Sequence, residues 1–167
     1  MQCAICGDEH DLMDLEPSFR RPEDVVQMSA EARASRVKED DDLCRIAPAG
    51  SEGHRYFVRC VLAVQLLDLG RSFNWGLWAE LEQAAFERVV ELWNDANQAA
   101  EAPMGAVLAS RVPCSPNTIG VPALLRLTGP TTRPALSLDS GVSHPFVGEC
   151  LSGVLSHRLA EWLQAMK

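Results

Sequence analysis

The strongest constraint on the fold is a pair of neighbouring segments, 56–66 and 73–81, in which apolar residues recur at every second position. Successive side chains of a β-strand point to opposite faces, so this period of two predicts two strands, each with one consistently apolar face. The residues between them, 68–72, include Gly70 and are typical of a turn. We therefore expect the two strands to pair as an antiparallel hairpin in the middle of a sheet.

Weaker patterns on either side of this hairpin predict the remaining elements. Apolar residues in 83–94 and 149–166 recur at helical spacing, and the stretch 21–38 predicts two short helices or one helix broken at Ser29. The further predicted strands are 43–46, 105–112, 121–127 and 135–138. Because strands and helices do not alternate regularly, the expected fold class is α+β: an antiparallel sheet with flanking helices and an N-terminal metal-knuckle arm.

Composition sets the domain count and excludes some partners. A chain of 167 residues suits a single domain, 1–167, with residues 1–42 as a Cys-x-x-Cys arm with helices and residues 43–167 as an α+β body. The net charge of -8 opposes binding to phosphate backbones, so no nucleic acid partner is expected. The sequence has neither a long apolar run nor a secretory signal, which predicts a cytoplasmic protein with no membrane partner.

The N-terminal sequence Cys3-Ala-Ile-Cys6-Gly-Asp-Glu-His10 has the spacing of half a zinc site. Two thiolates at this spacing can turn toward one ion, and tetrahedral zinc then requires further ligands. The candidates for these ligands are His10, Cys44 and Cys60. Since the first twenty residues have little periodic apolar surface, a structural zinc ion or tight docking is needed to order them.

Other roles for the cysteines stay open at this point. A thioredoxin-like dithiol is disfavoured because the motif begins at residue 3 with no preceding strand, and a disulfide is disfavoured in a reducing cytosol. The remaining interpretation is that Cys3 and Cys6 are ordinary thiols at a chain end. Cys60, on the apolar side of its strand, and Cys150 are both expected in the core, since free cysteine is among the most buried residue types. Cys114 lies in a loop bounded by prolines.

No catalytic residue is assigned, because the chain contains no complete catalytic signature. His54 and His144 lie beside turn residues, and either could approach Cys44 or Cys60 to form a catalytic pair. The acidic run Glu39–Asp42 lacks the spacing of a calcium loop and is expected to be a solvated stretch of charge. A small enzyme that uses a Cys/His pair or a catalytic zinc is therefore the alternative to a binding protein.

Trp78 stands out among the aromatic residues of the second strand. If Trp75 faces the core, the period of two makes Trp78 face away from it. Tryptophan is enriched at the centres of interfaces, so a partner protein or a second copy of the chain is expected on this face. The competing expectation is that the N-terminal arm or the final helix folds over Trp78.

Several segments together resemble a bacterial family catalogued as domain of unknown function 2199. They are Cys3–His10, Asp42–Ile46, Tyr56–Arg59, Phe73–Trp78 and His144–Pro145, in that order along the chain. The resemblance implies that Cys44 belongs with Cys3, Cys6 and His10 in one site. Cys60 stands where glycine is common in this family, which leaves either Cys60 or His10 as the fourth ligand. The resulting prediction is a non-enzymatic, zinc-stabilised binding or interaction module, and neither a substrate nor a partner follows from the resemblance.

Overall fold

Helices and one seven-stranded sheet make up the structure, a computed structural model that describes residues 16–167. The strands are β1 (Val37–Glu39), β2 (Leu43–Ile46), β3 (Arg55–Leu66), β4 (Arg71–Leu81), β5 (Met104–Leu108), β6 (Pro122–Arg126) and β7 (Ala135–Leu138). The α-helices are α1 (Glu23–Val26), α2 (Ala30–Arg36), α3 (Gln83–Leu92), α4 (Pro145–Ser152) and α5 (Ser156–Ala165). This combination confirms the predicted α+β class.

The sheet closes into a five-stranded barrel, which corrects the expectation of a simple antiparallel sheet. β3 and β4 form the predicted antiparallel hairpin, and β4 to β7 follow one another as antiparallel neighbours. β7 then returns to β3 in parallel, with Val61 opposite Ala135 and the Val61 N–H donating to the Pro134 carbonyl at 2.9 Å. A period-two pattern gives the two faces of a strand but not its neighbours, so this closure could not be predicted from it.

The length of β3 makes the closure possible, because its two halves have different neighbours. β2 pairs with β3 from Arg55 to Val58, and β7 pairs with it at Val61. β1 and β2 therefore extend the sheet outside the closed ring. The metal-knuckle part of the predicted fold involves Cys3, Cys6 and His10, which lie outside the described residues.

Aromatic rings fill the interior of the barrel. Trp75 of β4, Phe146 of α4 and Trp162 of α5 are all fully buried, and their ring centroids lie 5.2 to 6.2 Å apart in edge-on packing. Aromatic pairs favour this geometry, since it places the positive edge of one ring on the negative face of another. These three rings therefore form a packed part of the core.

The helices differ from prediction at the C-terminal end. The segment expected as one helix over 149–166 is divided between α4 and α5 at Gly153, whose φ is +83°. Val154 there pairs with β3, donating its N–H to Gln65 O and accepting from Leu67 N, both at 2.9 Å. Any Cβ at position 153 would lie 2.8 Å from Leu67 Cδ2, so glycine is required.

At the N-terminal end, the predicted break at Ser29 is confirmed. Its hydroxyl caps α2 by accepting from Ala32 N at 3.1 Å.

Among the helices in residues 16–167, none combines the length and the apolar character needed to cross a bilayer.

Candidate metal centre and the docked N-terminal segment

A second cluster of buried apolar residues lies on the outer face of the barrel wall, and Phe19 packs against both this cluster and the interior one. Its buried members are Val25, Cys44, Ile46, Phe57, Trp78 and Ala109. Phe19 and Met28 pack against it, so the stretch of chain from residue 17 to 28, which we call the docked segment, covers this face. Since Cys44 belongs to this cluster, the docked segment and the candidate metal ligand share one surface.

The docked segment is fastened to β4 by backbone pairing. Phe19 N donates to Gly76 O and Gly76 N donates to Pro17 O, both at 2.9 Å, which makes a parallel bridge between Ser18 and Gly76. A Cβ at Gly76 would lie 2.6 Å from Ser18 Cβ, closer than two carbon atoms can approach. Glycine at this position thus permits the close contact between the two backbones.

Trp78 is completely buried beneath the docked segment. Its ring Nε1 donates to the Phe19 carbonyl at 3.1 Å, while its side chain packs in the outer cluster. Of the two expectations for this residue, coverage by the N-terminal arm is therefore the one found. No partner protein is needed to shield Trp78 from water.

Cys44 lies at the edge of this covered face. It pairs with Phe57 of β3 on one side and with Glu39 of β1 on the other, and its side chain is 1% exposed. The pKa of its thiol is raised to about 12, chiefly by burial and then by the charge of Glu39, while Arg21 acts to lower it. Arg21 belongs to the docked segment and pairs with Glu39 at 2.7 Å, which brings this segment beside the thiol.

Cys60 lies on the opposite face of β3, so the structure does not bring the two candidate thiols together. The register places Cys44 opposite Phe57, and Cys60 is separated from Phe57 by an odd number of positions. Cys60 is fully buried in the interior, where its Sγ contacts the Leu77 carbonyl at 3.5 Å and burial raises the pKa of the thiol. One ion cannot bind both thiols without disrupting the sheet.

The other three predicted ligands, Cys3, Cys6 and His10, lie outside the described residues. Within residues 16–167, no three His, Cys, Asp or Glu side chains are close enough together to hold a metal ion. Of the predicted ligands within residues 16–167, Cys44 is therefore the one that lies on the outer face.

The histidines proposed as catalytic partners have structural contacts instead. His144 caps α4, since its Nδ1 accepts from Phe146 N at 3.1 Å, and its Nε2 lies 3.1 Å from the Asn117 carbonyl. His54 stacks on Tyr56 with 6.3 Å between ring centroids. Neither contact involves a thiol.

The acidic run is largely exposed, as expected, and three of its carboxylates also make defined contacts. Glu39 pairs with Arg21 and Asp42 pairs with Arg133, both at 2.7 Å. Asp40 Oδ1 accepts from Asp42 N and Leu43 N, which forms the turn between β1 and β2. These carboxylates thus position the strand that carries Cys44.

An arginine that sequence reasoning did not single out links the docked segment to the hairpin. Arg55 donates to Glu80 through Nε and Nη2, both at 2.7 Å, and to Asp24 of α1 through Nη1 at 2.6 Å. Its guanidinium also lies 5.2 Å from the Phe57 ring centroid. The Arg55–Glu80 pair could have been predicted from the register of the hairpin. This register sets Tyr56 opposite Leu81, and it therefore brings Arg55 and Glu80, the charged residues next to them, close together.

A polar cleft of about 590 Å³ opens beside this arginine, where β4 and β5 separate. His54, Arg55, Glu80, Glu82 and Gly105 are among the residues that line it. The volume is in the range of small-molecule sites. However, Asp24 and Glu80 already occupy the hydrogen-bonding groups of Arg55, so this guanidinium serves to hold α1 rather than to bind an anion.

The burial of the thiols predicts a selective labelling pattern. We expect iodoacetamide at pH 8 to modify Cys114, which is exposed, and to leave Cys44, Cys60 and Cys150 unmodified in the folded protein. Burial raises the pKa of Cys44 and of Cys150 to about 12, so only about one thiol in ten thousand is ionised at that pH. Peptide mass spectrometry before and after unfolding checks this, and rapid labelling of Cys44 or Cys60 in the folded protein would contradict it.

The comparisons with known proteins identify a family. A family model described as "Uncharacterized protein conserved in bacteria (DUF2199)" matches residues 2–154. Searches of the curated proteins and of the solved structures found no match. The matched region begins before the Cys-x-x-Cys motif and ends after α4, so it includes every segment on which the resemblance was based. The chain therefore belongs to the DUF2199 family, as its sequence predicted.

Proposed function

We propose that this protein is a non-enzymatic binding module in which a structural zinc ion fastens the N-terminal arm to the outer face of the barrel. The ligands in this proposal are Cys3, Cys6, His10 and Cys44. The observation that carries it is the position of Cys44, whose thiol lies on the same outer face that the docked segment covers. Cys60, the competing fourth ligand, belongs to the interior and is left out of the set.

The donor set suits zinc. Three thiolates and one imidazole form a common structural zinc site, and four protein ligands leave no position open for a substrate. Zinc binding requires the Cys44 thiol to lose its proton, and a bound dication supplies the positive charge that favours this. The described chain already approaches the thiol at Arg21, and an extended chain spans about 3.3 Å per residue, so the stretch from His10 to Arg21 is long enough to return there.

The packing of the barrel supports a binding role over an enzymatic one. Its interior is packed with the rings of Trp75, Phe146 and Trp162, which contact one another edge-on. A nucleophilic cysteine has to be ionised, and burial favours the protonated form of Cys44 and Cys60. The partner of this module is accordingly expected on the outer surface.

Metal analysis of the untagged full-length protein tests the zinc site. We expect about one zinc ion per chain, and we expect Cys3→Ser and Cys44→Ser to lower the content to a small fraction of this. Cys114→Ser is the matched control, since Cys114 is exposed and should leave the zinc content unchanged. Less than about a tenth of an equivalent in the wild type would overturn the proposal.

X-ray absorption at the zinc edge separates the structural site from a catalytic one. The proposal predicts three sulfur ligands at about 2.3 Å and one nitrogen ligand at about 2.0 Å. A catalytic zinc would show three protein ligands and an oxygen from water in the fourth position. That result would favour the enzyme alternative and contradict the closed site proposed here.

A further inference from the structure

The outward side chains of β6 and β7, the last two strands, form an exposed surface on the barrel. Residues alternate between buried and exposed along both strands, so their outward side chains are clearly defined. The outward residues are Pro122, Leu124 and Arg126 on β6, and Ala135, Ser137 and Asp139 on β7 and just beyond it. Leu124 is 46% exposed at the centre of this face, and Leu151 of α4, 51% exposed, borders it.

The charges on this face are arranged symmetrically about an apolar centre. Leu124 pairs with Ser137, and Arg126 lies two residues away in one direction along the strands. Asp139 lies two residues away in the other direction, next to Pro122. A basic and an acidic side chain therefore stand at opposite ends of a short apolar strip.

These two charges cannot neutralise each other within one chain. Arg126 pairs with Ala135, and Asp139 is four residues farther along the chain, which is about 13 Å at 3.3 Å per residue. The ion pairs formed among residues 16–167 do not include either of them. Asp139 Oδ1 accepts from Gly141 N at 2.9 Å, which fixes the carboxylate at this edge of the face.

From this arrangement we infer that the β6–β7 face binds a second copy of the chain. A two-fold axis that lies between the faces, roughly perpendicular to the strands and over the Leu124–Ser137 pair, places Arg126 of each copy over Asp139 of the other. Sheets packed face to face are about 10 Å apart, a gap that an arginine side chain and an aspartate can bridge. The same operation brings the two Leu124 regions together at the centre.

The shape of the face suits this occupant. A shallow hollow of about 520 Å³ lies beside Leu124 and is lined by Pro122, Leu138 and Leu151. Apolar side chains from the second copy have room there, so the contact buries apolar surface as well as forming two ion pairs. A self-complementary face of this kind is the requirement for a two-fold dimer.

Charge reversal tests the dimer with a built-in control. We expect the wild type, at roughly 100 μM protein and low salt, to sediment at about twice the chain mass of 18.3 kDa. Arg126→Asp and Asp139→Arg should each give a monomer, because each sets like charges against each other in both contacts. Both residues are exposed, so circular dichroism should show an unchanged fold.

Mixing the two single variants is the decisive measurement. One copy then carries two acidic residues at the contact and the other carries two basic ones, so a heterodimer should form where neither variant self-associates. The double variant R126D/D139R should likewise recover the homodimer. A monomeric wild type, single variants that remain dimeric, or a mixture that stays monomeric would each overturn the inference.

The outcome is independent of the zinc proposal. Neither substitution touches Cys44 or the docked segment, so zinc content is expected to be equal in all the variants. A dimer without zinc would contradict only the metal site, and a zinc-loaded monomer would contradict only the dimer.

Discussion

Replacing Trp78 with alanine should lower the free energy of unfolding by about 3 to 5 kcal/mol, the usual cost of removing a buried tryptophan side chain. Trp78 has no exposed surface, and its indole joins the outer cluster to the docked segment through the hydrogen bond to Phe19 O. The substitution removes both the apolar side-chain volume and this hydrogen-bond donor. The loss of stability therefore comes from contacts within one chain and not from contacts with a partner. Urea denaturation followed by circular dichroism measures it.

Trp78→Phe provides the comparison for this result. Phenylalanine retains most of the apolar contact but cannot donate to the Phe19 carbonyl, so it should cost clearly less than alanine. The mass in solution should be the same for the wild type and both variants. A loss below about 1 kcal/mol for Trp78→Ala, or a change in association without a change in stability, would contradict the burial of Trp78 within one chain.

Gly76→Ala should detach the docked segment from β4. The added Cβ would lie 2.6 Å from Ser18 Cβ and 3.3 Å from Ser18 Cα, so the backbone of the segment has to move. That movement breaks the two hydrogen bonds between Gly76 and the segment and disturbs the stacking of Phe19 on Trp75. We expect a loss of about 2 to 3 kcal/mol, similar to other overpacking substitutions.

Limited digestion with trypsin reports this detachment directly. Arg20 is an exposed residue of the docked segment, and cleavage after it should become much faster in Gly76→Ala. Gly105→Ala is the matched control, because a Cβ on that strand glycine meets no atom within 4 Å. Equal cleavage rates in the two variants would show that the contact between Ser18 and Gly76 does not hold the segment.

The faces of the strands could be predicted from the sequence, because side-chain alternation is a local property of the backbone. Trp75 lies inside and Trp78 outside, as the period of two requires. The cap at Ser29 was likewise readable, since a serine before a run of helix-forming residues satisfies the first N–H groups locally.

Features that depend on which segments meet could not be predicted in this way. The sequence favoured a core position for Cys60 but kept it as a possible ligand, because the faces of Cys44 and Cys60 can be compared only once the register of β2 against β3 is known. The helix break at Gly153 depends on Leu67 and Gln65, which come from a distant strand. The proposed zinc site could not be settled from the sequence for the same reason, since it would require Cys44 to meet ligands that are far away along the chain.

The parallel contact between β3 and β7 also has a consequence for the order of folding. The β3–β4 hairpin joins neighbouring segments and can form within microseconds, whereas closing the ring has to wait for a strand much later in the chain. While the protein is being synthesised, the edge of β3 beyond Val58 stays unpaired until β7, and after it Val154, leave the ribosome. Open edges of this kind are where nascent chains aggregate. Emergence of residues 134–138 closes the ring at Val61, and emergence of Val154 then pairs the end of β3 and completes the protection of this edge.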